Sequence, residues 1–249
     1  MAYIPAKTQQ RLAAKMGKFQ KLIRKAIDQD INESDTVMIV TDILSEVFGY
    51  EKFTEITSEY AIRGTYCDLA VKIRDKVRLL IECKAVGIEL KEQYVKQAID
   101  YAVNQGIEWV VLTNGARWKV FRVIFAQPID KELVADFNFL ELKSRSQRDL
   151  ELLYMLTKEG LEKLALQNYY DKQQAVNKFT IAAILQTPEV ISVIRRYVKK
   201  LGDGINPGVE DIREILLTEV LKREVVEDEK AREAAKRVAK AIAPRKKKQ

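Results

Sequence analysis

The sequence predicts a mixed α/β fold, in which a β-sheet is flanked by helices and followed by a mostly helical C-terminal region. Up to residue 143, short segments alternate apolar and polar residues with the period of two that strands show. Beyond residue 144, apolar residues recur at helical spacing. We therefore divide the chain into an α/β core with N-terminal helices at 1–143, a helical region at 144–243 and a basic tail at 244–249.

The predicted core begins with two helices, continues with three strands and a helix, and ends with three further strands. The ranges are 7–28 and 34–48 (helices), 53–60, 66–73 and 77–84 (strands), 90–105 (helix), and 107–113, 116–124 and 132–142 (strands). Ser34 is the expected N-cap of the second helix, and Gly49 ends it. Asn114-Gly115 predicts a tight hairpin turn.

The C-terminal region is predicted to contain little besides helices. Their ranges are 147–157, 172–185, 188–200, 209–223 and 227–243. The segment 202–208 contains three glycines and a proline and is the clearest linker. These helices either contact DNA, a partner or a second copy of the chain, or only pack against the core.

The predicted hairpin at 66–84 carries acidic residues where a sheet rarely has them. One face of the hairpin is apolar and consists of Leu69, Val71, Ile73, Val77, Leu79, Ile81 and the two cysteines. Asp68, Glu82 and Lys84 therefore share the other face. With a three-residue turn at 74–76, Asp68 lies directly opposite Glu82.

Two carboxylates at cross-strand distance repel each other, because their Cβ atoms are only about 4.5–5.5 Å apart. A hard divalent cation with oxygen ligands would remove this repulsion. The alternative is a solvated sheet face on which Lys84 forms an ordinary ion pair with Asp68 or Glu82. The same register also sets Lys72 opposite Arg78, a like-charge pair near the end of the hairpin.

Asp68, followed after thirteen residues by Glu82-Cys83-Lys84, resembles the signature of the PD-(D/E)xK nuclease superfamily. A longer set of segments resembles the N-terminal nuclease domain of the restriction (R) subunit of type I restriction enzymes. These segments are 62–68 (IRGTYCD), 80–87 (LIECKAVG), 97–101 (QAIDY) and 108–115 (EWVVLTNG). The resemblance covers about residues 34–158 and implies a restriction-endonuclease-like sheet. The superfamily's proline before the aspartate is Cys67 here, at a position that is not a metal ligand.

In a nuclease of this kind, Asp68 and Glu82 would coordinate Mg²⁺ through oxygen, with the Cys83 backbone carbonyl as a third ligand. Lys84 would orient the attacking water and offset the charge that develops on the phosphate. We expect Mn²⁺ to substitute for Mg²⁺.

Three further residues are candidates for supporting roles. The resemblance implies a glutamate on the first core helix that completes the metal site, and Glu46 is the predicted one; an ordinary surface glutamate is the alternative. Gln97 and Tyr101 lie one helical turn apart and match a Gln-x-x-x-Tyr element of this nuclease group. They would position the metal site or a DNA phosphate, unless Tyr101 is simply a buried, hydrogen-bonded tyrosine.

Composition narrows the chemistry further. The chain has no histidine, which removes Ser-His and Cys-His nucleophiles and any histidine base. No Gly-x-x-x-x-Gly-Lys-Ser/Thr motif is present, so we expect no ATP site and no helicase motor. The sequence shows neither a signal peptide nor a membrane span, so we expect a cytoplasmic protein without a membrane partner. The two cysteines are expected to be reduced core thiols.

The net charge of +7 fits a polyanionic partner. Four of these charges lie in the tail at 245–248, where Lys246, Lys247 and Lys248 are candidate phosphate contacts. A solvated tail without a function is the alternative.

We therefore expect a Mg²⁺-dependent endodeoxyribonuclease, a hydrolase of a restriction or defence system whose partner is DNA. A homodimer or a complex with other restriction subunits is the expected assembly. One alternative is a catalytically silent DNA-binding or regulatory module that keeps the nuclease fold. Another is a subunit of a larger defence complex.

Overall fold

A computed structural model describes residues 3–62, 65–202 and 204–243 of the protein. It divides into two compact units, Met1–Tyr169 and Tyr170–Gln249. The first unit holds a six-stranded mixed sheet, and the second is helical in its described part. The predicted fold class is thus confirmed. No described helix combines the length and apolarity that crossing a bilayer requires.

The first unit contains both the sheet and the helices that cover it. Its elements are α1 (Ala6–Asp28), α2 (Glu33–Asp42), a π-helical turn (Ile43–Val47), β1 (Ile56–Ile62), β2 (Thr65–Ile73), β3 (Lys76–Cys83), a 3₁₀ turn (Glu92–Val95), α3 (Lys96–Gln105), β4 (Trp109–Thr113), β5 (Arg117–Ile124), β6 (Asp130–Asn138), a second 3₁₀ turn (Phe139–Glu141), α4 (Gln147–Tyr154) and α5 (Lys158–Glu162). Helix α6 (Ala165–Ala175) follows and continues past Tyr169.

The remaining helices belong to the second unit. They are α7 (Lys178–Leu185), α8 (Pro188–Lys199), α9 (Val209–Ile215), which continues into a π-helical turn (Leu216–Val220), α10 (Arg223–Glu227) and α11 (Glu229–Ile242). The predicted helix at 172–185 is divided in the structure, because Asn177 caps α7 by accepting a hydrogen bond from the Thr180 N–H. The basic tail at 244–249 lies outside the described residues.

The boundary between the two units lies further along the chain than the predicted division after residue 143. The first unit continues to Tyr169 because α4 packs against α1 and α5 packs against β2.

The strands follow one another across the sheet in chain order, from β1 to β6. All neighbours are antiparallel except β3 and β4, which are parallel and are connected through α3. Helix α3 packs against β2, β3, β4 and β5, whereas α2 packs against β2 and β3. Helix α3 covers a sheet face that also carries charged residues. This face is therefore less exposed to water than the alternation of apolar and polar residues along the strands predicts.

The hairpin of β2 and β3 differs in detail from the predicted one. Its turn has two residues, Arg74 and Asp75, with φ values of 52° and 61°, as in a type I′ turn. A register shift next to Val71 then makes Lys72 pair with Val77 instead of Arg78. The predicted like-charge pair is therefore wrong.

Because of the same bulge, Val77 lies on the opposite face of the hairpin from the one predicted. This side chain packs against the cluster that contains Ala70 and Leu80, so it does not share a face with Leu79 as predicted. Beyond the bulge the predicted register is confirmed, since Leu69 pairs with Ile81.

The second helix begins earlier than predicted and ends where predicted. Asn32, not Ser34, is the N-cap, and its side chain accepts a hydrogen bond from the Asp35 N–H. At the other end, Gly49 has a φ of 85°. The Arg11 guanidinium donates to the carbonyls of Val47 and Phe48 beside it.

We expect Gly49→Ala to destabilise the protein more than Gly106→Ala. Both glycines have positive φ, so alanine costs about 1–2 kcal/mol at either position. A Cβ atom at Gly49 would also lie 2.6 Å from Arg11 Cζ, whereas nothing lies within 4 Å of one at Gly106. Unfolding in urea measures the difference, and equal losses in the two variants would show that Arg11 does not stabilise this helix end.

Candidate functional site

Two adjacent strands bring the central acidic residues together. Asp68 lies in β2, Glu82 is the penultimate residue of β3, and Lys84 follows the end of β3. The paired part of β2 and β3 ends at Leu69 and Ile81, and Asp68 and Glu82 are the next residues on the two strands. Glu82 is only 8% exposed, while Asp68 and Lys84 are half-buried. A solvated sheet face, the alternative considered above, does not describe this site.

Hydrogen bonds hold these side chains in place. The Cys83 N–H donates to Asp68 Oδ2 at 2.7 Å. Lys84 Nζ donates to Glu82 Oε1 at 2.9 Å and to Glu33 Oε1 at 3.2 Å. Lys84 therefore forms an ion pair with Glu82, one of the two pairings considered from the sequence, and a second one with Glu33.

Glu33 is a site residue that the sequence analysis missed. It is the first residue of α2, which places it at the helix end where the macrodipole favours an acid. Burial is the main cause of the raised pKa values of Asp68 and Glu82, and the charge of Glu33 adds to it in both cases. The sequence would have placed Glu33 at the start of this helix if Asn32 had been taken as the N-cap. Ser34 is an equally favourable N-cap residue, and it places the helix start after Glu33.

Burial dominates the electrostatics of the two strand acids. It raises the pKa of Asp68, although the Cys83 N–H and Lys84 act in the opposite direction. Burial also raises the pKa of Glu82, against the hydrogen bond from Lys84. For Lys84, burial lowers the pKa, but the contacts with Glu82 and Glu33 outweigh it, so its pKa is raised and the ammonium stays charged.

The acidic groups of the site outnumber its basic ones. Glu82 and Glu33 contact the Lys84 ammonium, whose charge also acts on the nearby Asp68, and both Asp68 and Glu82 are partly removed from water. Within residues 3–62, 65–202 and 204–243, no group of three or more Asp, Glu, His or Cys side chains is assembled closely enough to hold a metal ion. If Asp68 and Glu82 hold a metal ion as the sequence predicts, backbone or water oxygens would have to supply the further ligands.

Asn114 fixes the loop that follows Lys84. Its amide nitrogen donates to the carbonyls of Val86 and Ile88 at 3.2 and 2.9 Å. Its amide oxygen accepts from the N–H groups of Ala116 and Arg117 at 3.1 and 2.7 Å. The sequence predicted Asn114 only as a turn residue, because a turn signal does not reveal contacts with a segment almost thirty residues away.

The backbone holds Lys84 as well, since its N–H donates to the Thr113 carbonyl at 2.8 Å. Hydrogen bonds to Thr113 and Asn114, at the end of β4, thus hold both Lys84 itself and the loop that follows it.

The structure does not join Glu46 to the other acids. Its carboxylate forms ion pairs with Lys15 and Lys18 of α1 at 3.0 and 2.7 Å. The hydrogen bonds from these two lysines lower its pKa. Its predicted position at the end of the helix is correct, but the helix presents it to α1.

Gln97 and Tyr101 lie together on α3, as their spacing predicts. Both line a shallow pocket of about 350 Å³, and Asp68, Glu82 and Lys84 do not line it. Tyr101 is buried in the cluster that α3 forms with the sheet. The other candidate residues, Lys246, Lys247 and Lys248, lie outside the described residues.

The two cysteines are buried free thiols, as predicted. Burial raises the pKa of Cys67 to about 12, and burial also raises that of Cys83. Neither side chain therefore supplies a thiolate nucleophile at neutral pH.

We expect Asp68→Asn to stabilise the protein, and more so at neutral than at acid pH. Burial raises the folded-state pKa above the ordinary 3.8, so the folded state keeps its proton where the unfolded state has lost it. Stability therefore falls as pH rises from the ordinary pKa through the raised one. Asparagine does not titrate, and its carbonyl can still accept from the Cys83 N–H.

Urea unfolding at several pH values from about 3 to about 8 measures this effect. The exposed Asp100 of α3 provides the control variant Asp100→Asn. A stability difference between wild type and Asp68→Asn that does not grow with pH would contradict the burial argument.

Comparison with known proteins gives one match. Residues 38–135 match the family model described as the N terminus of the type I restriction enzyme R protein. No curated protein and no solved structure matches the chain. The matched range includes Asp68, Glu82 and Lys84 and lies inside the range of the resemblance seen in the sequence. The region that carries the acidic site therefore resembles the N-terminal domain of the type I restriction enzyme R protein.

Proposed function

We propose that this protein is a Mg²⁺-dependent endonuclease that hydrolyses phosphodiester bonds in DNA. The observation that carries the proposal is the pair of partly desolvated carboxylates, Asp68 and Glu82, opposed on neighbouring strands with the Lys84 ammonium beside them. The family match supports a restriction-type nuclease context. Metal dependence and catalysis are the proposed part.

Asp68 and Glu82 would hold the metal through their carboxylate oxygens, with the Cys83 backbone carbonyl as a further ligand. Bound Mg²⁺ supplies Lewis-acid polarisation of the scissile phosphate and a bound water of lowered pKa. The fold supplies two acids whose pKa values burial raises, although the single positive charge of Lys84 acts in the opposite direction on both. A buried carboxylate without sufficient counter-charge is costly, so a divalent cation is favoured at this position.

Lys84 would act on the reacting groups as a hydrogen-bond donor. Its contacts keep the ammonium protonated, and Glu82 fixes its direction. Glu33 is more exposed than Glu82, with 48% against 11% of the side chain accessible. An arriving phosphate can therefore displace Glu33 from Lys84 more easily than it can displace Glu82. The ammonium then offsets the negative charge that develops during hydrolysis.

Glu33 would take the supporting role that the sequence assigned to Glu46. It contacts Lys84 directly and is close enough to affect the pKa values of Asp68 and Glu82. Glu46, in contrast, is neutralised by two lysines. Gln97 and Tyr101 remain proposed positioning residues for DNA. The proposed partners are DNA and the other subunits of a restriction complex.

We expect Asp68→Ala, Glu82→Ala and Lys84→Ala each to lower Mg²⁺-dependent cleavage of supercoiled plasmid by roughly 10²–10³-fold or more, because each removes a group that touches metal or phosphate. Glu33→Gln should lower cleavage by about 10–100-fold, as loss of a supporting contact does. Glu46→Gln, which alters a glutamate of the same helical segment, is the control and should cleave like wild type.

The assay compares nicked and linear products with Mg²⁺ and with chelator, alongside DNA binding by each variant. Wild-type cleavage by any of the three alanine variants would overturn the site assignment. If wild type binds DNA but never cleaves it, the silent DNA-binding module is the correct function.

A further inference from the structure

A second pocket of the first unit lies at the turn end of the β2–β3 hairpin. It has a volume of about 610 Å³, within the usual size of small-molecule sites. Three cations of the hairpin, Arg74, Lys76 and Arg78, contribute to its lining. Because β3 rises about 3.3 Å per residue, Lys76 lies roughly 20 Å from Glu82. This pocket is therefore separate from the acidic site.

The three cations are available to a ligand. Arg74, Lys76 and Arg78 are exposed, and none forms an ion pair or side-chain hydrogen bond within the part of the chain that the structure describes. The two-residue turn and the bulge beside it place these three cations along the lining of one pocket. An anion bound among them would relieve their mutual repulsion, and phosphate suits such a cluster of guanidinium and ammonium donors.

The rest of the lining indicates what is attached to the anion. The apolar part of the lining, or apolar wall, consists of the exposed Leu164 and of the mostly buried Ile107 and Trp109, and it suits a flat, weakly polar body such as a nucleobase. Glu108 and Glu162 also line the pocket and can accept hydrogen bonds from amino or hydroxyl groups. An inorganic anion alone would leave most of this volume and the whole apolar wall without a partner.

We infer that this pocket binds a nucleotide, with its phosphate on Arg74, Lys76 and Arg78 and its base against the wall that contains Trp109. The same chemistry occurs in a free nucleotide and in the terminal nucleotide of a DNA strand. The inference does not depend on the nuclease proposal, since it uses different residues and requires no cleavage.

Trp109 provides a direct probe of binding. The chain has two tryptophans; Trp109 is mostly buried but lines the pocket, whereas Trp118 is completely buried and does not line it. We expect saturable quenching of the full-length protein's fluorescence by AMP and ADP, measured in chelator so that the acidic site plays no part. Inorganic phosphate should bind more weakly than AMP, because it leaves the apolar wall empty.

Substitutions separate a built site from general charge attraction. Lys76→Gln and Arg78→Gln should each raise the Kd for AMP by about tenfold, the loss expected for one charge-assisted contact. Lys91→Gln removes an equally exposed cation outside the pocket and should leave the Kd within about twofold. Asp68→Asn should also bind AMP like wild type. Thermal melts confirm that each variant is folded.

The outcomes are distinct. Variant-sensitive binding of AMP supports a free nucleotide, and variant-sensitive binding of a short oligonucleotide alone supports the terminal nucleotide of a strand. Absence of saturable binding by both ligands, or equal weakening in the Lys91→Gln control, overturns the inference. Failure of the nuclease proposal would appear instead in plasmid cleavage, which this experiment does not measure.

Discussion

The opposition of Asp68 and Glu82 on neighbouring strands is the constraint on which the rest of the site depends. Burial raises the pKa of both acids, and Lys84 supplies only one positive charge for them. A sheet tolerates such a pair only where other charges or hydrogen bonds compensate. The Cys83 N–H, the Lys84 ammonium and, in our proposal, a divalent cation provide that compensation.

The architecture around the acids makes them both rigid and desolvated. Strand β3 is hydrogen-bonded to β2 on one side and to β4 on the other, so Glu82 cannot move away from Asp68 without breaking the sheet. Asn114 then attaches the loop after Lys84 to the following hairpin. Helix α3 covers the sheet beside this site. Rigid elements of this kind hold side chains in a fixed geometry, which the proposed catalysis requires.

Most of the sheet could be predicted from the sequence, because period-two alternation and the Asn114-Gly115 turn are local signals. The register of β2 and β3 between the bulge and the Leu69–Ile81 pair was predicted correctly even though the turn was not. A three-residue turn and a two-residue turn followed by a bulge give the same pairing beyond the bulge. The partners of Glu46 and the position of Glu33 could not be predicted, because each depends on how a helix docks against distant residues.

Unfolding of wild type and of Asp68→Asn, each with chelator and with Mg²⁺, tests most directly whether the opposed acids form a metal site. Mg²⁺ at ten times its Kd should raise the unfolding free energy of wild type by about 1.4 kcal/mol. The same Mg²⁺ should leave Asp68→Asn unchanged, because one ligand and one of the opposed charges are gone. An equal response in the two proteins would place the cation elsewhere, and no response in either would contradict the metal site.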